Sequence, residues 1–173
     1  ADSHVAFPVD RRPYVDMEND LMPYRRLIAN GLPSVLAAHV VYPDVDDAPA
    51  SASSRWINGV LRGELGFQGA VFTDDMSMKG ATAAGDVVTR SRRALEAGSD
   101  MVVICNDRPS VVQVVDNLGV EPAPASQIRL VRMRGREGTS PAELYASSEW
   151  QQSREVLAQV STPPTLSLTA GQA

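Results

Sequence analysis

Cysteine, lysine and aromatic residues are scarce in this sequence, and the scarcity excludes several classes of protein. The single cysteine, Cys105, can form neither an internal disulfide nor a cysteine cluster for a metal. It lies in the apolar run MVVICN, which predicts a buried thiol. No apolar run approaches the roughly 18 residues of a transmembrane helix, so we expect no membrane partner. The GxGxxG and P-loop motifs, which bind dinucleotides and phosphates, are also absent.

The charge balance is acidic, and the basic residues are almost all arginine. The sequence has 21 Asp and Glu against 16 Lys and Arg, which gives a net charge of −5 and a pI near 5.0. This balance argues against a nucleic-acid partner. The arginines between 129 and 136 have no interleaved aromatic residues, so we interpret them as a solvated helix face rather than an RNA site.

Apolar segments of strand length alternate with amphipathic segments of helical length, roughly every 30–35 residues. The predicted strands are 33–41, 69–73 and 101–105, and the predicted helices are 16–30, 56–65, 86–97 and 110–118. Continuous apolar strands predict an α/β fold with a parallel sheet whose two faces are both covered. A (β/α)8 barrel and an open flavodoxin-like sheet share this local pattern, so periodicity does not choose between them.

The pattern changes in two places. Residues 42–54 are rich in Asp, Ala and Ser and predict a long polar loop, a kind of segment that is often functional. After Gly119, a proline-rich linker at 120–126 precedes a basic helix at 127–136 and a further helix at 141–160. We therefore predict an α/β domain over 1–119, a helical C-terminal extension over 120–160 and a disordered tail over 161–173.

Two adjacent acids, Asp74 and Asp75, directly follow the second predicted strand. A carboxylate at the end of a parallel strand is fixed by the scaffold and faces the usual cleft. Such a group can act as a glycosyl nucleophile, a metal ligand or a phosphoryl acceptor. Asp75 is also well placed simply to cap the helix that follows, so its role stays open.

Both histidines of the chain are candidates for chemistry. On an extended segment, Asp2 and His4 would point the same way, so that Asp2 could accept a hydrogen bond from one ring nitrogen. The other nitrogen would then be free for proton transfer near neutral pH. His39 follows the first predicted strand, and we expect it to line the cleft and bind substrate, although it could instead bond a neighbouring loop.

Four stretches together resemble the bacterial β-N-acetylglucosaminidases of glycoside hydrolase family 3: DSH, AHVVYP, LRGELGFQGAVFTDDMSMKGA and RRALEAGSDMVVICN. The resemblance covers about residues 1–160. The family's nucleophile falls on Asp74, within TDDMSM, where Met76 replaces a commoner leucine. The family's acid/base histidine and its paired aspartate fall on His4 and Asp2.

The resemblance implies a cytoplasmic exo-glycosidase of peptidoglycan recycling. Its substrate would be a muropeptide with a terminal β-linked N-acetylglucosamine, hydrolysed with retention and without a metal or organic cofactor. The family's KHFPGHG stretch and the substrate-binding Asp and Arg residues upstream of it are absent from this chain. We therefore expect a partial (β/α)8 barrel, about strands six to eight with a C-terminal helical extension, whose missing partner is the N-terminal half.

Two alternatives remain. A complete barrel needs about 250 residues, so the chain alone could be a fragment without activity of its own. In a receiver-like α/β domain, Asp74 and Asp75 would instead bind Mg²⁺ and accept a phosphoryl group. That fold places its acidic pair after the first strand and needs a lysine at a late strand end, whereas the only lysine, Lys79, lies close behind the acids.

Overall fold

A three-stranded parallel sheet forms the centre of the computed structural model, which describes residues 8–82, 85–121, 123–135 and 138–160. Its strands are β1 (Ser34–Ala37), β4 (Ala70–Asp75) and β5 (Met101–Val103), in the order β1-β4-β5. Two shorter strands, β2 (Val41–Tyr42) and β3 (Asp46–Pro49), form a separate antiparallel hairpin after β1. The predicted α/β class and its parallel sheet are therefore confirmed.

Helices follow and separate the strands of the sheet. Their bounds are α1 (Glu18–Ala29), a π-helix (Arg55–Glu64), α2 (Lys79–Thr82), α3 (Val87–Glu96), α4 (Arg108–Asn117) and α5 (Pro124–Arg132). Short 3-10 helices precede α1 and follow β3, at Tyr14–Met17 and Ala50–Ala52. Asp86 and Asp107 begin α3 and α4, because each carboxylate accepts a backbone N–H of the first helical turn. No helix in the described ranges is long and apolar enough to cross a bilayer.

The hairpin corrects the predicted loop at 42–54. Its strands are short and β3 is polar, so the hairpin lacks the long apolar run by which the other strands were predicted. Asp46 links β3 to the segment that follows it, since its carboxylate accepts the N–H of Ala48 at 3.2 Å and the hydroxyl of Ser53 at 2.6 Å. The segment around Val9 lies beside this hairpin, because Val9 forms a parallel bridge with Val41.

The hydrophobic core covers one face of the parallel sheet. One cluster of buried side chains comprises Ile57, Phe67, Val71 and Ala97, and a second comprises Met76, Ala81, Val87, Ala94 and Val114. On the other face, Leu36, Phe72 and Met101 form one row across the three strands, because Phe72 is paired with both of the others. Leu36 is 59% exposed and Met101 40%, so the described residues do not cover both faces as predicted.

The chain divides into two compact units between Arg134 and Gly135. The predicted domain boundary after Gly119 is earlier, and the difference lies in α5. Two residues of α5, Ser126 and Arg129, bind the carboxylate of Asp100 beside the sheet, which keeps this helix in the first unit.

The second unit contains α6 (Pro141–Ala146) and α7 (Ser148–Gln159). The single helix predicted over 141–160 is interrupted at Ser147, which is extended and caps α7 by accepting the N–H of Trp150. The rings of Tyr145 and Trp150 pack across this break with centroids 5.0 Å apart. The predicted tail at 161–173 lies outside the described residues.

Candidate active site

Asp74 and Asp75 are the last two residues of β4, at the carboxyl end of the parallel sheet. The carboxyl ends of parallel strands meet at one edge, where α/β proteins place their chemistry. Both acids are half-buried. The structure therefore places the predicted acidic pair where a fixed carboxylate can meet a ligand.

A β-bulge lies at this end of β4. Phe72 pairs with Met101 and Asp75 pairs with Val103, so three steps along β4 match only two steps along β5. The extra residue lies within the Thr73-Asp74 dipeptide. Bulges bend a strand, re-aim a side chain and are over-represented next to active sites. The predicted strand ends at Thr73, whereas β4 continues to Asp75. A bulge depends on the register with the partner strand, so the sequence does not predict it.

Side-chain oxygens of β4 replace part of the ladder at the bulge. The N–H of Val103 donates to the hydroxyl oxygen of Thr73 at 3.0 Å, and the N–H of Cys105 donates to the Asp75 carboxylate at 2.9 Å. The N–H of Met76 donates to the carbonyl of Val103 at 2.9 Å. The end of β4 is thus held against β5 without a regular ladder.

Asp75 has a structural environment. Besides the N–H of Cys105, its carboxylate accepts the N–H of Ser77 at 2.9 Å and the hydroxyl of Ser77 at 2.5 Å. Burial alone would raise the pKa of Asp75, but these hydrogen bonds outweigh burial and lower it. The Asp75 carboxylate is therefore ionised and engaged in holding the turn before α2 and the end of β5.

Asp74 is held far less tightly than its neighbour. One of its carboxylate oxygens accepts the N–H of Asp75 at 2.9 Å. None of the salt bridges between described residues includes Asp74. A half-buried carboxylate on a rigid strand, without a cationic partner in this part of the chain, remains available to an incoming ligand.

His39 is buried beneath the acidic pair, with only 1% of its surface exposed. Its Nε2 lies 3.0 Å from the main-chain carbonyl of Asp75, and its Nδ1 lies 2.7 Å from the hydroxyl of Ser51. A carbonyl only accepts hydrogen bonds, so Nε2 carries the proton and the Ser51 hydroxyl donates to Nδ1. Burial lowers the pKa of His39, against the opposing effect of Asp75 and Asp74.

This arrangement corrects the prediction that His39 lines the cleft and binds substrate. Both ring nitrogens are engaged inside the protein, so neither is free for a ligand. The alternative interpretation, a histidine that bonds neighbouring segments, agrees with the structure.

The predicted acid/base pair, Asp2 and His4, lies outside the described residues. The segment that follows it is anchored on β2, because the N–H of Val41 donates to the carbonyl of Pro8 at 3.0 Å and the N–H of Asp10 donates to the carbonyl of Val41 at 2.9 Å. The hairpin begins at Val41, two residues after His39, and His39 contacts the main chain of Asp75. The anchored segment is therefore linked to the acidic pair through β2 and His39.

Two other predictions concern reactive groups near Asp75. Cys105 is exposed rather than buried, because β5 ends at Val103 and the apolar run continues into a loop. Although Cys105 is exposed, partial loss of hydration and the nearby Asp75 carboxylate raise the pKa of its thiol. Lys79 begins α2 instead of ending a strand, which removes the placement that a receiver-like site requires. The described residues contain no group of three or more His, Cys, Asp or Glu that could hold a metal ion.

Known proteins similar to this chain include bacterial enzymes about twice its length. A protein named beta-hexosaminidase from Thioalkalivibrio sulfidiphilus is 46% identical over 167 residues, which cover 96% of this chain and 48% of the relative. A beta-hexosaminidase from Actinobacillus succinogenes is 47% identical over 163 residues, which cover 91% of this chain and 47% of the relative. The chain therefore spans about half the length of the relatives it matches.

Solved structures and a family model agree with these relatives. The crystal structure of native NagZ from Neisseria gonorrhoeae matches with a TM-score of 0.79 and 32% identity, covering 94% of this chain and 47% of NagZ. Its complex with N-trifluoroacetyl-D-glucosamine matches with a TM-score of 0.77 and 32% identity, covering 92% of this chain and 46% of NagZ. Residues 1–133 match the model of the glycosyl hydrolase family 3 N terminal domain. This chain therefore belongs to glycosyl hydrolase family 3.

Proposed function

We propose that this protein is a retaining exo-β-N-acetylglucosaminidase in which Asp74 is the nucleophile. The observation that carries the proposal is the position of Asp74 at a bulge on the carboxyl end of β4, next to an Asp75 that is already engaged. The names of the relatives support a hexosaminidase. The NagZ complex with N-trifluoroacetyl-D-glucosamine supports a sugar of the N-acetylglucosamine type.

In the proposed reaction, a carboxylate oxygen of Asp74 attacks the anomeric carbon while the bond to the leaving oxygen breaks. His4 gives its proton to that oxygen, and a covalent glycosyl-enzyme forms. His4 then removes a proton from water, which displaces Asp74 and restores the original anomeric configuration. Asp2 orients the imidazole and stabilises its cationic form. Neither a metal nor an organic cofactor takes part in these steps.

We further propose that β1, β4 and β5 are strands six to eight of a (β/α)8 barrel. The row of Leu36, Phe72 and Met101 supports this, because layers of apolar side chains from the strands fill the interior of such barrels. In the described sheet, β1 and β5 each lack a neighbour on their outer side. The remaining strands would cover this face, close the barrel and contribute groups that hold the sugar.

The finer assignments follow from the family resemblance. The substrate is a GlcNAc-containing muropeptide, and the enzyme acts in cell-wall recycling in the cytoplasm. Activity then requires the N-terminal half of the barrel, so residues 1–173 alone are not expected to hydrolyse the substrate. Without the other strands, the two reacting groups lack a positioned sugar and a cleft that excludes water.

Asp74→Ala in the complete protein tests the nucleophile. We expect turnover of an aryl β-N-acetylglucosaminide to fall by about three orders of magnitude or more, because the first chemical step loses its nucleophile. A mechanism-based fluorosugar should label the wild-type protein on Asp74, as read by peptide mass spectrometry. The turnover comparison requires the variant to unfold at the same urea concentration as the wild type.

The matched control is Asp75→Asn, which removes the neighbouring negative charge and keeps the side-chain shape. We expect this variant to retain a measurable fraction of turnover and still to be labelled on Asp74. Labelling of any other residue, or near wild-type turnover by Asp74→Ala, would show that Asp74 is not the nucleophile.

A further inference from the structure

We propose that His39 is a positioning residue for Asp74, because its buried ring joins the main-chain carbonyl of Asp75 to the hydroxyl of Ser51 and so fixes the bulge that presents the nucleophile. This inference rests on the proposed function. It gives the chain's second histidine a role that does not require contact with the sugar.

The first argument is the way the bulge is held. In a regular parallel ladder, main-chain carbonyls of β4 would accept the N–H groups of β5. At this strand end, Thr73 and Asp75 accept the N–H groups of Val103 and Cys105 with side-chain oxygens instead. The main-chain carbonyl of Asp75 faces His39 and accepts its Nε2–H. Three side chains therefore fix the main chain on both sides of the nucleophile.

The second argument is the rigidity of the group on the far side of the ring. Ser51 donates its hydroxyl to His39 and its N–H to the carbonyl of Ala38 at 3.2 Å. Its own carbonyl accepts the hydroxyl of Ser99 at 3.2 Å. Ser51 and His39 are each only 1% exposed, and Ser99 is 4% exposed. A buried polar network in which the partners are paired holds its members in one arrangement.

The third argument is what the ring excludes. Because both nitrogens are engaged and the side chain is buried, His39 contributes nothing to binding a sugar at the surface. Its loss should shift the Asp74 carboxylate rather than remove a substrate contact. A misplacement of about 1 Å can cost about 100-fold in rate. The expected signature is a lower kcat with little change in KM.

The test compares His39→Leu with His39→Gln in the complete protein. Leucine fills the space but cannot bond, whereas the glutamine amide can donate to the Asp75 carbonyl and accept from Ser51. We expect kcat for His39→Leu to fall about 100-fold, with KM changed by less than about twofold. We expect His39→Gln to restore at least a tenth of the wild-type kcat. The rate of fluorosugar labelling of Asp74 should follow kcat in both variants.

A second pair of variants tests the same bulge from the other strand, in case a His39 variant fails to fold. Thr73→Val removes the oxygen that accepts the N–H of Val103, and Thr73→Ser keeps it. We expect the valine variant to lower kcat with KM unchanged and the serine variant to restore it. Nitrogen NMR of the wild type should show His39 neutral, with its proton on Nε2.

The outcomes separate this inference from the proposed function. If Asp74→Ala keeps its turnover, the proposed function fails whatever His39 does. If Asp74→Ala is inactive but His39→Leu and Thr73→Val keep wild-type kcat, only the positioning role is overturned. A rise in KM at unchanged kcat for His39→Leu would also overturn it, because His39 would then contact the substrate. A ring protonated on Nδ1 alone would contradict the hydrogen bond to Asp75.

Discussion

Two aspartates at opposite ends of the parallel sheet show how differently the same side chain can be used. Asp100 lies at the amino end, just before β5, and its side chain is 1% exposed. It forms ion pairs with Arg62 at 2.9 Å and with Arg129 at 3.0 Å. It also accepts the N–H of Val71 at 2.8 Å and the hydroxyl of Ser126.

Asp74, at the carboxyl end, accepts the N–H of Asp75 and shares in none of the described ion pairs. The strands are the same, so the difference lies in the surroundings that each end provides. At the amino end, a buried charge is compensated and ties two helices to the sheet. At the carboxyl end, a charge is left available. The number of partners therefore distinguishes an acid that stabilises the fold from one that remains available to a ligand.

The largest effect on stability is expected from Asp100→Ala. This substitution leaves Arg62 and Arg129 without their shared carboxylate in partly buried positions, which should cost about 3–5 kcal/mol of unfolding free energy. Urea denaturation followed by circular dichroism measures it. The matched control is Asp116→Ala on the exposed side of α4, which should change stability by less than about 0.5 kcal/mol.

Asp74→Ala is expected to have little effect on stability, in contrast to Asp100→Ala. Its urea midpoint should stay close to that of the wild type, since no described ion pair is lost. If Asp74→Ala destabilises the protein as much as Asp100→Ala, the two ends do not differ in the way their contacts indicate.

An intermediate effect is expected where β4 begins. A Cβ on Gly69 would lie 2.3 Å from the main-chain carbonyl oxygen of Pro33, so Gly69→Ala forces the backbone before β1 and β4 apart. Overpacking of this kind should cost about 1–3 kcal/mol. Gly59→Ala, where a Cβ meets nothing within 4 Å, should instead gain about 0.5–1 kcal/mol. Thermal unfolding of both variants measures these changes in stability. Equal changes for Gly69→Ala and Gly59→Ala would contradict the close approach between Gly69 and Pro33.

The smallest effect concerns pH and His39. Burial lowers the pKa of His39 below its ordinary 6.5, and the hydrogen bond to the Asp75 carbonyl and the nearby carboxylates oppose this without reversing it. Below pH 6.5 the unfolded chain therefore binds more protons than the folded one. The stabilisation is present above pH 6.5 and is lost as the pH falls toward the lowered value, by at most about 1.4 kcal/mol per pH unit.

The measurement compares unfolding free energies at several pH values in wild type and His39→Gln, which cannot titrate. The wild type should lose more stability than the variant as the pH falls below 6.5. Parallel pH profiles would show that the pKa of His39 is the same in the folded and the unfolded protein, and would contradict the lowered pKa.

Much of the fold was predictable because its signals are local. The apolar runs before Asp74 and around Met101 predicted strands, and helices were predicted close to their observed bounds. Cys105 shows the limit of that signal. Its apolar run is continuous in sequence, but β5 ends at Val103. Beyond that point, the N–H of Cys105 donates to the Asp75 carboxylate instead of to a main-chain carbonyl. A local pattern does not contain that long-range contact.

The candidate site was predictable in its residue types and less so in its geometry. The position of Asp74 at a strand end followed from the sequence, and its role as nucleophile stays a prediction. The bulge and the burial of His39 depend on pairing across β1, β4 and β5, which no short window of sequence encodes.

The central position of β4 also bears on how the protein opens. Its first residues have strands on both sides, and the N–H of Val71 is bonded to the buried Asp100, so amide hydrogens here should exchange with solvent only in rare large openings. Past the bulge, the amides of Met76 and Ser77 are held by single contacts and should exchange sooner. Asp74 thus lies where the slow-exchanging part of the strand gives way to a faster one, so the contacts of Thr73, Asp75 and His39 hold its main chain at the point where the regular ladder ends.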